Sequence, residues 1–580
     1  MLHPKRLLHS MPDANIFRQR IRLIIGLLIV VGLFVIGRLF MLQVVESSSY
    51  KERAEHQYVT PSTDAFDRGN IYFTSKDGTT VAAATVVNGF KIAITPNLID
   101  DAEDTYQKIN ALTPIDHDTF LAKAAKKNDP YEEVADRVPE SQAAQLADLE
   151  LKGVSLVREK WRFYPGESLA ARTLGFVSNR GDHLAGTYGL EEFYNDVLAR
   201  DASNLYVNFF AQIFANVQSS VFKNTASTGD IVTTIEPTVQ SQLEHTVEKI
   251  ESQWNSDAVG GIIMDPYTGS IIAMAASPTF DLNNFGQVKD QSIYRNIFSQ
   301  NRYEMGSIVK PLVMAGALDI GAVTPSTTYN DSGSVTIDGK TLNNFDKRGR
   351  GNNVSMQTVL DQSLNTGMIF VEQKMGKDAF RDYLVNRYKL GEKTGIDLPG
   401  EVNGSVGSLK DKNDINFAAA SFGQGIATSP INIVRGFAAL ANGGTMVTPH
   451  IASEIIESTG KKTQIDFPVG ARVLKPETIS TITSMLVHVV DQGYRIGKEH
   501  YSVAAKTGTA QIARPDGGGY YTDRNLHSLI GFFPASKPRY VLYLFNVYPK
   551  GALYAIQTLG TPFMDMVDFM NNYYDIPPDR

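Results

Sequence analysis

The stretch Asn301-Arg302-Tyr303-Glu304-Met305-Gly306-Ser307-Ile308-Val309-Lys310-Pro311 decides how the rest of this chain is read. Lys310 follows Ser307 by three residues, and the apolar run Leu312-Val313-Met314-Ala315-Gly316-Ala317-Leu318 comes at once after it. With about 3.6 residues per turn, positions three apart share a helix face, so the spacing predicts a helix that brings the Ser307 hydroxyl to the Lys310 amine. Pro311 falls in its first turn, where a missing N–H costs little. A serine is a weak nucleophile until a base takes its proton, and a desolvated lysine is such a base. Ser307 is the candidate nucleophile and Lys310 the candidate base.

The spacing by itself is common, since Ser48/Lys51, Ser220/Lys223 and Ser458/Lys461 repeat it. Of these, the first borders an apolar segment and the last sits in a polar turn; only Ser307 opens an apolar helix. Lys-Thr-Gly occurs at 393–395 and at 506–508. The first copy runs into the turn-rich Ile396-Asp397-Leu398-Pro399-Gly400, whereas the second follows the strand-like Val503-Ala504-Ala505 and continues as Thr509-Ala510-Gln511. Ser-x-Asn occurs at Ser299-Gln300-Asn301 and at Ser363-Leu364-Asn365, the latter inside a predicted helical stretch over 354–370. Ser307, Ser363 and Lys506, in that order and each in a fitting context, say far more together than any one motif.

The chain has 580 residues, 43% hydrophobic and 20% charged, enough for more than one domain with its own core. A net charge of −7, from 55 basic and 62 acidic residues, argues against nucleic acid as the main partner. With no cysteine, disulfides, zinc-thiolate sites and a cysteine nucleophile are excluded. The ten histidines show no His-Glu-x-x-His spacing, so no metal and no cofactor is expected.

Residues 1–22 carry Lys5, Arg6, Arg18, Arg20 and Arg22 against the single acid Asp13, and read as a cytoplasmic tail. Residues 23–42, LIIGLLIVVGLFVIGRLFML, match the roughly 20 residues that cross a bilayer, with Arg38 near the far end able to snorkel. A signal peptide is the competing reading, but Gln43-Val44-Val45-Glu46 offers no small-residue cleavage site. The expectation is a single-pass anchor with everything after residue 45 outside the membrane.

Residues 43–228 read as a mixed α/β module, with helices over 101–111 and 141–151 and strands over 89–95 and 154–161. Arg68-Gly69-Asn70-Ile71-Tyr72, Tyr164-Pro165-Gly166 and Gly186-Thr187-Tyr188-Gly189-Leu190-Glu191 are turn or anchoring candidates, and no acid pair there suggests catalysis. The texture changes near Gly229-Asp230, and residues 229–580 read as a second domain. It opens with a strand over 231–235, a helix over 238–252 and a hairpin of 258–264 with 270–275 around Asp265-Pro266-Tyr267-Thr268-Gly269. A helix over 431–440 and strands over 502–505, 528–532 and 540–547 complete an α/β (α+β) picture, a sheet with a helical cluster against it. Asp265, Arg302, Glu304 and Asp523 read as structural charges. Arg514, Tyr520 and Tyr521 are candidates for the acceptor side of the site.

The three motifs together resemble the penicillin-recognising serine transpeptidases and serine β-lactamases. The blocks RYEMGSIVKP, TGIDLPGE (394–401), SFGQGIATSP (421–430), ALANGG (439–444) and AAKTGTAQ, with RGNIY, YPGESLAARTLGFV and GTYGLEEFY upstream, resemble class B penicillin-binding proteins. The form Tyr-Glu-x-Gly-Ser-x-x-Lys-Pro is similar to the cell-division branch. Met305 stands where proline is common, Ile308-Val309 replace a frequent Thr-Phe, and an Asp-Arg-Asn-Gly sequence is missing from 68–78.

The resemblance implies a transmembrane anchor at 23–42, a pedestal or dimerisation-type domain at 43–228 and an antiparallel-sheet transpeptidase domain at 229–580. It implies catalytic Ser307, Lys310, Ser363, Asn365 and Lys506, and substrate binding by Thr507, Gly508 and Thr509. It further implies peptidoglycan stem peptides and β-lactams as ligands, and a SEDS-type glycosyltransferase and divisome membrane proteins as partners. The location implied is the bacterial inner membrane, with the catalytic domain outside the cytoplasm.

Rival readings are a β-lactamase, for which no Glu-x-x-Leu-Asn block follows Ser363 and which lacks an anchor and pedestal; a bifunctional synthase, which needs a glycosyltransferase domain; and a multi-span β-lactam sensor. An elongation-type transpeptidase and a catalytically silent division scaffold remain as alternatives.

Overall fold

A computed structural model describes residues 67–180, 183–200, 228–514 and 518–580. The expected anchor at 23–42 lies outside the described residues; among those described, no helix is long and apolar enough to cross a membrane.

The upstream module is built on the long strand Thr80–Ile94, which pairs with Ile71–Thr74, Glu132–Val138 and Val154–Phe163. Helices Ala102–Asn110, His117–Ala124 and Glu140–Ala147 pack on it around Ile92, Ile94, Ile109, Phe120 and Leu146. Asp101 caps the first helix, its carboxylate accepting from the Glu103 and Asp104 N–H groups at 3.0 Å each.

The three upstream blocks, scattered in sequence, converge on one buried carboxylate. Glu191 accepts from Arg68 Nε and Arg162 Nε at 2.6 Å each and from the Tyr164 hydroxyl at 3.2 Å. Burial opposes its ionisation, but Arg162 and Arg68 outweigh that and hold its carboxyl below the ordinary value.

The change of texture at 229 does not coincide with a sheet boundary. Gly229–Thr233 pairs in parallel with Ile71–Thr74 and antiparallel with Ala452–Glu457, so one sheet of seven strands contains segments from both halves. Tyr194 ties the halves again by donating to Asp397 at 3.0 Å, a carboxylate that also accepts the Ile451 and Ala452 N–H groups at 2.7 Å each.

The second sheet has five strands in the order Ala504–Ala513, Tyr520–Phe533, Tyr540–Val547, Ala258–Met264, Ile271–Ser277, all antiparallel. One face is covered by the helices Pro237–Trp254 and Ala555–Tyr573 through Leu243, Val247, Leu559 and Phe563. The other packs on a helical cluster that includes Lys310–Asp319 and the fully buried helix Pro430–Ala441. Ala504–Ala513 is the edge strand, and the site forms along it.

Two local expectations differ from the structure. The predicted helix over 354–370 is split into the strand Gly351–Ser355, the helix Met356–Asp361 and the helix Asn365–Met375. The apolar pattern runs through because both helices face one core, while Ser363 between them is left-handed at φ +52°. The expected strand over 502–505 extends instead to Ala513, since pairing with Tyr520–Phe533 carries it through Gly508 against local propensity.

Candidate active site

Ser307 lies in a 3₁₀ turn, Gly306–Val309, that leads directly into the helix Lys310–Asp319 with Pro311 in its first turn. In a 3₁₀ turn, residues three apart eclipse each other, which places Ser307 and Lys310 on one side more strictly than an α-turn does. Gly306 sits at φ +57°, and a Cβ there would meet the Ala510 Cβ at 2.8 Å, so the turn can press against the edge strand only as glycine.

Lys310 is fully buried, and its Nζ reaches the Ser363 carbonyl oxygen at 2.6 Å, Asn365 Oδ1 at 2.8 Å and Ser363 Oγ at 3.2 Å. Burial, and then the charge of Lys506, push its pKa well below the ordinary value of 10.5. A neutral amine with two protons engaged on Ser363 and Asn365 has a lone pair free to accept a third.

Asn365 is oriented from its other end, donating Nδ2 to the Asn343 carbonyl at 2.8 Å. Behind it, Asp331 accepts from the Thr366 hydroxyl at 2.7 Å and from Asn344 Nδ2 at 3.1 Å. No motif marked Asp331, Asn343 or Asn344, because their role depends on a strand about 20 residues away in sequence folding back over the turn.

Lys506, also fully buried, donates to Ser363 Oγ at 3.1 Å, to the Tyr494 hydroxyl at 3.0 Å and to the Thr507 carbonyl at 3.0 Å. Two lysines therefore flank one serine hydroxyl. Gly508 allows the strand to lie against the nucleophile turn: a Cβ there would meet Ser528 Oγ at 2.4 Å and Ile308 Cγ2 and the Met305 carbonyl oxygen at 3.1 Å each. Thr509 Oγ1 accepts from the Ala555 N–H at 3.1 Å, at the start of the helix Ala555–Tyr573.

Ser307, Ser363, Asn365, Thr507 and Thr509 line one cleft of about 410 Å³, with Phe345, Phe422, Tyr494 and Tyr554 among its walls. Lys310 and Lys506 lie beneath its floor. Tyr494 was not legible in the sequence, where it belongs to no recognisable motif.

The remaining candidates fall outside this cluster. Glu304 accepts from the Tyr520 hydroxyl at 2.8 Å, and burial raises its pKa. Asp265 closes the hairpin turn by accepting the Tyr267 N–H at 2.7 Å, and Tyr548 donates to Asp523 at 3.3 Å. Arg514 stacks on Tyr521 at 5.5 Å from the ring centre, away from the cleft walls. The first Lys-Thr-Gly is a loop tied by Glu401, which accepts from the Thr394 N–H and hydroxyl at 2.6 Å each.

A nucleophile turn, a Ser-x-Asn turn between two helices and a lysine on the edge of a five-stranded antiparallel sheet together define a penicillin-recognising serine acyltransferase. The profile of the penicillin binding protein transpeptidase domain matches residues 259–564, and that of the penicillin-binding protein dimerisation domain matches 64–234. The chain belongs to the class B penicillin-binding proteins, and is a serine-type transpeptidase of that family.

Among its relatives, stage V sporulation protein D of Bacillus subtilis is 28% identical, with 94% of this chain and 84% of that protein aligned. The peptidoglycan D,D-transpeptidase FtsI of Escherichia coli is 25% identical over 95% of this chain and 90% of its own length. The structure of penicillin binding protein 3 from Mycobacterium tuberculosis complexed with aztreonam has the same fold, with TM-score 0.67 and 23% identity over 89% of this chain and 97% of that one.

Proposed function

We propose that the chain is a peptidoglycan D,D-transpeptidase that crosslinks stem peptides through an acyl-enzyme on Ser307. One observation carries the reading: Lys310 and Lys506 reach the same Ser363 hydroxyl at 3.2 and 3.1 Å beside Ser307 in a single cleft. The kinship with a protein named peptidoglycan D,D-transpeptidase supports the choice of substrate.

In the first step Ser307 Oγ attacks the carbonyl carbon of the D-Ala–D-Ala amide while Lys310 takes its proton. The backbone N–H groups of Ser307 and Thr509 receive the developing oxyanion, a site where one lost donor typically costs ~10²–10³ in rate. As the C–N bond breaks, Lys310 hands the Ser307 proton on to Ser363 Oγ while Ser363 gives its own hydroxyl proton to the leaving D-alanine, with Lys506 setting the local field and Thr507 and Thr509 holding the terminal carboxylate. The acceptor amine of a neighbouring stem peptide then attacks the ester carbonyl carbon and gives up a proton to Lys310; the ester C–O bond breaks as the crosslinking amide forms, and Lys310 returns that proton to Ser307 Oγ. A β-lactam enters the same first step, and its opened ring stays attached.

The Tyr-Glu-x-Gly-Ser-x-x-Lys-Pro form of 303–311 supports a role in septal wall synthesis. The apolar segment 23–42 supports anchoring in the bacterial inner membrane with the catalytic domain outside, and Gly26, Gly32 and Gly37 within it would permit close packing against a SEDS-type glycosyltransferase or divisome membrane protein.

Intact-mass analysis after incubation with a penicillin tests the chemistry. The wild type gains a stable adduct and Ser307→Ala does not. Hydrolysis of the drug by unmodified protein would favour a β-lactamase instead. If neither protein nor drug changes, and a substrate thioester is also left untouched, the scaffold reading takes over. A fluorescent fusion concentrated at midcell supports the septal role; one spread along the side wall refutes it.

A further inference from the structure

Among the described residues, one cationic side chain lines the cleft wall, and it belongs to none of the three motifs. Arg350 directly precedes the strand Gly351–Ser355, and its backbone N–H donates to Asp331 Oδ2 at 3.0 Å. A guanidinium carries five N–H hydrogens and can only donate. Its Nε donates to Gln362 Oε1 at 2.8 Å, and its Nη1 to Asp346 Oδ1 at 2.9 Å and to the Arg348 carbonyl oxygen at 2.6 Å. Those contacts use three hydrogens, and the two on Nη2 meet no acceptor among the described residues. An arginine clamped at its backbone, at Nε and at Nη1, with Nη2 open, takes an anion with little further ordering.

A run of contacts places Arg350 at one end of the cleft. Gln362, which holds its Nε, is the residue before Ser363. Gly493 packs on Asp361, where an added Cβ would meet the Asp361 carbonyl oxygen at 3.2 Å. The next residue, Tyr494, accepts from Thr507 Oγ1 at 2.9 Å. This end of the cleft therefore runs from Arg350 past Ser363 to Thr507. Asp361, the one acid on the wall among the described residues, is engaged by Gln357 Nε2 at 2.8 Å and His488 Nδ1 at 3.0 Å.

A carboxylate entering here meets few free donors. The Thr507 hydroxyl and backbone N–H both donate to Tyr494, and Lys506 Nζ is engaged by Ser363, Tyr494 and the Thr507 carbonyl. Thr507 has to turn its hydroxyl from Tyr494 before it can serve a ligand, whereas Arg350 Nη2 is ready and brings a full charge. The leaving D-alanine and the entering acceptor amine occupy one place, because each bonds to the carbonyl carbon carried by Ser307. D-Alanine has a carboxylate on the carbon next to its nitrogen. An acceptor whose amine and carboxylate share a carbon presents the same group there, and a plain alkyl amine does not.

We propose that Arg350 is a substrate-binding residue that takes, through Nη2, the carboxylate beside the nitrogen that leaves or enters next to Ser363. The acceptor it fits is a stem peptide whose reacting amine sits on a carboxylate-bearing carbon, as at the side-chain end of a diamino dicarboxylic acid. The inference rests on the transpeptidase reading above.

The test uses full-length wild type, Arg350→Gln, Arg350→Lys and Ser307→Ala. The first substrates are an N-acyl-D-alanyl thioglycolate, whose leaving thiol carries a free carboxylate, and its methyl ester; thiol release gives kcat/KM. Arg350→Gln loses roughly ten- to hundredfold on the free carboxylate, the weight of one hydrogen bond to a charged group, and at most about threefold on the methyl ester. Arg350→Lys, which keeps the charge without the fork, falls between wild type and Arg350→Gln. D-Alanine or D-alaninamide is then added as acceptor, and mass spectrometry of the products gives the share of aminolysis over hydrolysis. Wild type favours D-alanine, and Arg350→Gln loses that preference.

Equal losses on the free carboxylate and the methyl ester would mean that Arg350 merely holds its loop to Asp331, and would overturn the proposal. So would a wild type that uses the two acceptors equally, or a preference for D-alanine that survives in Arg350→Gln, since one site then does not serve both amines. If wild type releases no more thiol than Ser307→Ala, the acyl-serine reading itself fails, and this inference falls with it.

Discussion

Replacing Lys310 by methionine keeps an unbranched side chain of similar length and removes only the amine. In the structure that amine meets the Ser363 carbonyl oxygen at 2.6 Å, Asn365 Oδ1 at 2.8 Å and Ser363 Oγ at 3.2 Å, with no exposure to solvent. As the base for Ser307, its loss is expected to slow acylation by about 10²–10⁴-fold. Stability responds through opposed effects. Each buried oxygen left without its donor costs ~1–3 kcal/mol, but the desolvation of the amine and its repulsion from Lys506 also disappear.

The pH dependence separates these effects. Because burial and Lys506 hold the folded amine's pKa below 10.5, the unfolded chain binds the extra proton in the window between the two values. Wild-type stability therefore rises with pH through that window and flattens near 10.5; in Lys310→Met this contribution is gone. Acylation, followed by intact mass, should likewise rise with pH through the lowered pKa in the wild type and lose that limb in the variant. Acylation of Lys310→Met within about threefold of wild type, with the same pH profile, would refute the assignment of Lys310 as base.

Gly508→Ala drives a methyl group to 2.4 Å from Ser528 Oγ and should shift the edge strand off the nucleophile turn. A displacement on the order of 1 Å lowers acylation about a hundredfold, so retained acylation by intact mass would contradict the packing argument. Glu191→Gln leaves Arg68 and Arg162 buried without a counter-charge and should destabilise the upstream module by about 3–5 kcal/mol, seen in urea unfolding and faster limited proteolysis. An unchanged midpoint would sink that prediction. His527, fully buried with Nδ1 at 3.0 Å from Thr558 Oγ1, is pushed by burial from 6.5 down to about 4. The unfolded chain takes up that proton first, so stability falls by roughly 3 kcal/mol as pH drops through this window. His527→Gln should remove that slope in urea unfolding, and an identical slope would rule the cause out.

Much of the fold was legible because its signals are local. The strand at 540–547 follows from a run of β-formers, and the helix Ala102–Asn110 from its helical patterning with acids in the first turn. Where reading and structure part, long-range pairing or packing won. The edge strand passes through Gly508 because Tyr520–Phe533 holds it there, and residues 354–370 break at Ser363 although their apolar pattern is unbroken. The upstream blocks 68–72, 164–166 and 186–191 read as separate turns, since nothing local says that Arg68 and Glu191 meet across 123 residues.

The sequence by itself determined which reacting groups are present and how the first two are paired. A serine and a lysine three residues apart share one side of a helical turn through local geometry alone, whatever surrounds them. The tertiary structure decided the rest: that Lys310 meets Asn365 across 55 residues, that Lys506 reaches Ser363 across 143, and that both amines are sealed from water. It also placed Tyr494 on the Lys-Thr-Gly strand and Asp331 behind Thr366. The reason is physical. Residue chemistry and near spacing are written along the chain, whereas desolvation, convergence of distant donors and a left-handed turn at Ser363 exist only once the helices have packed on the sheet.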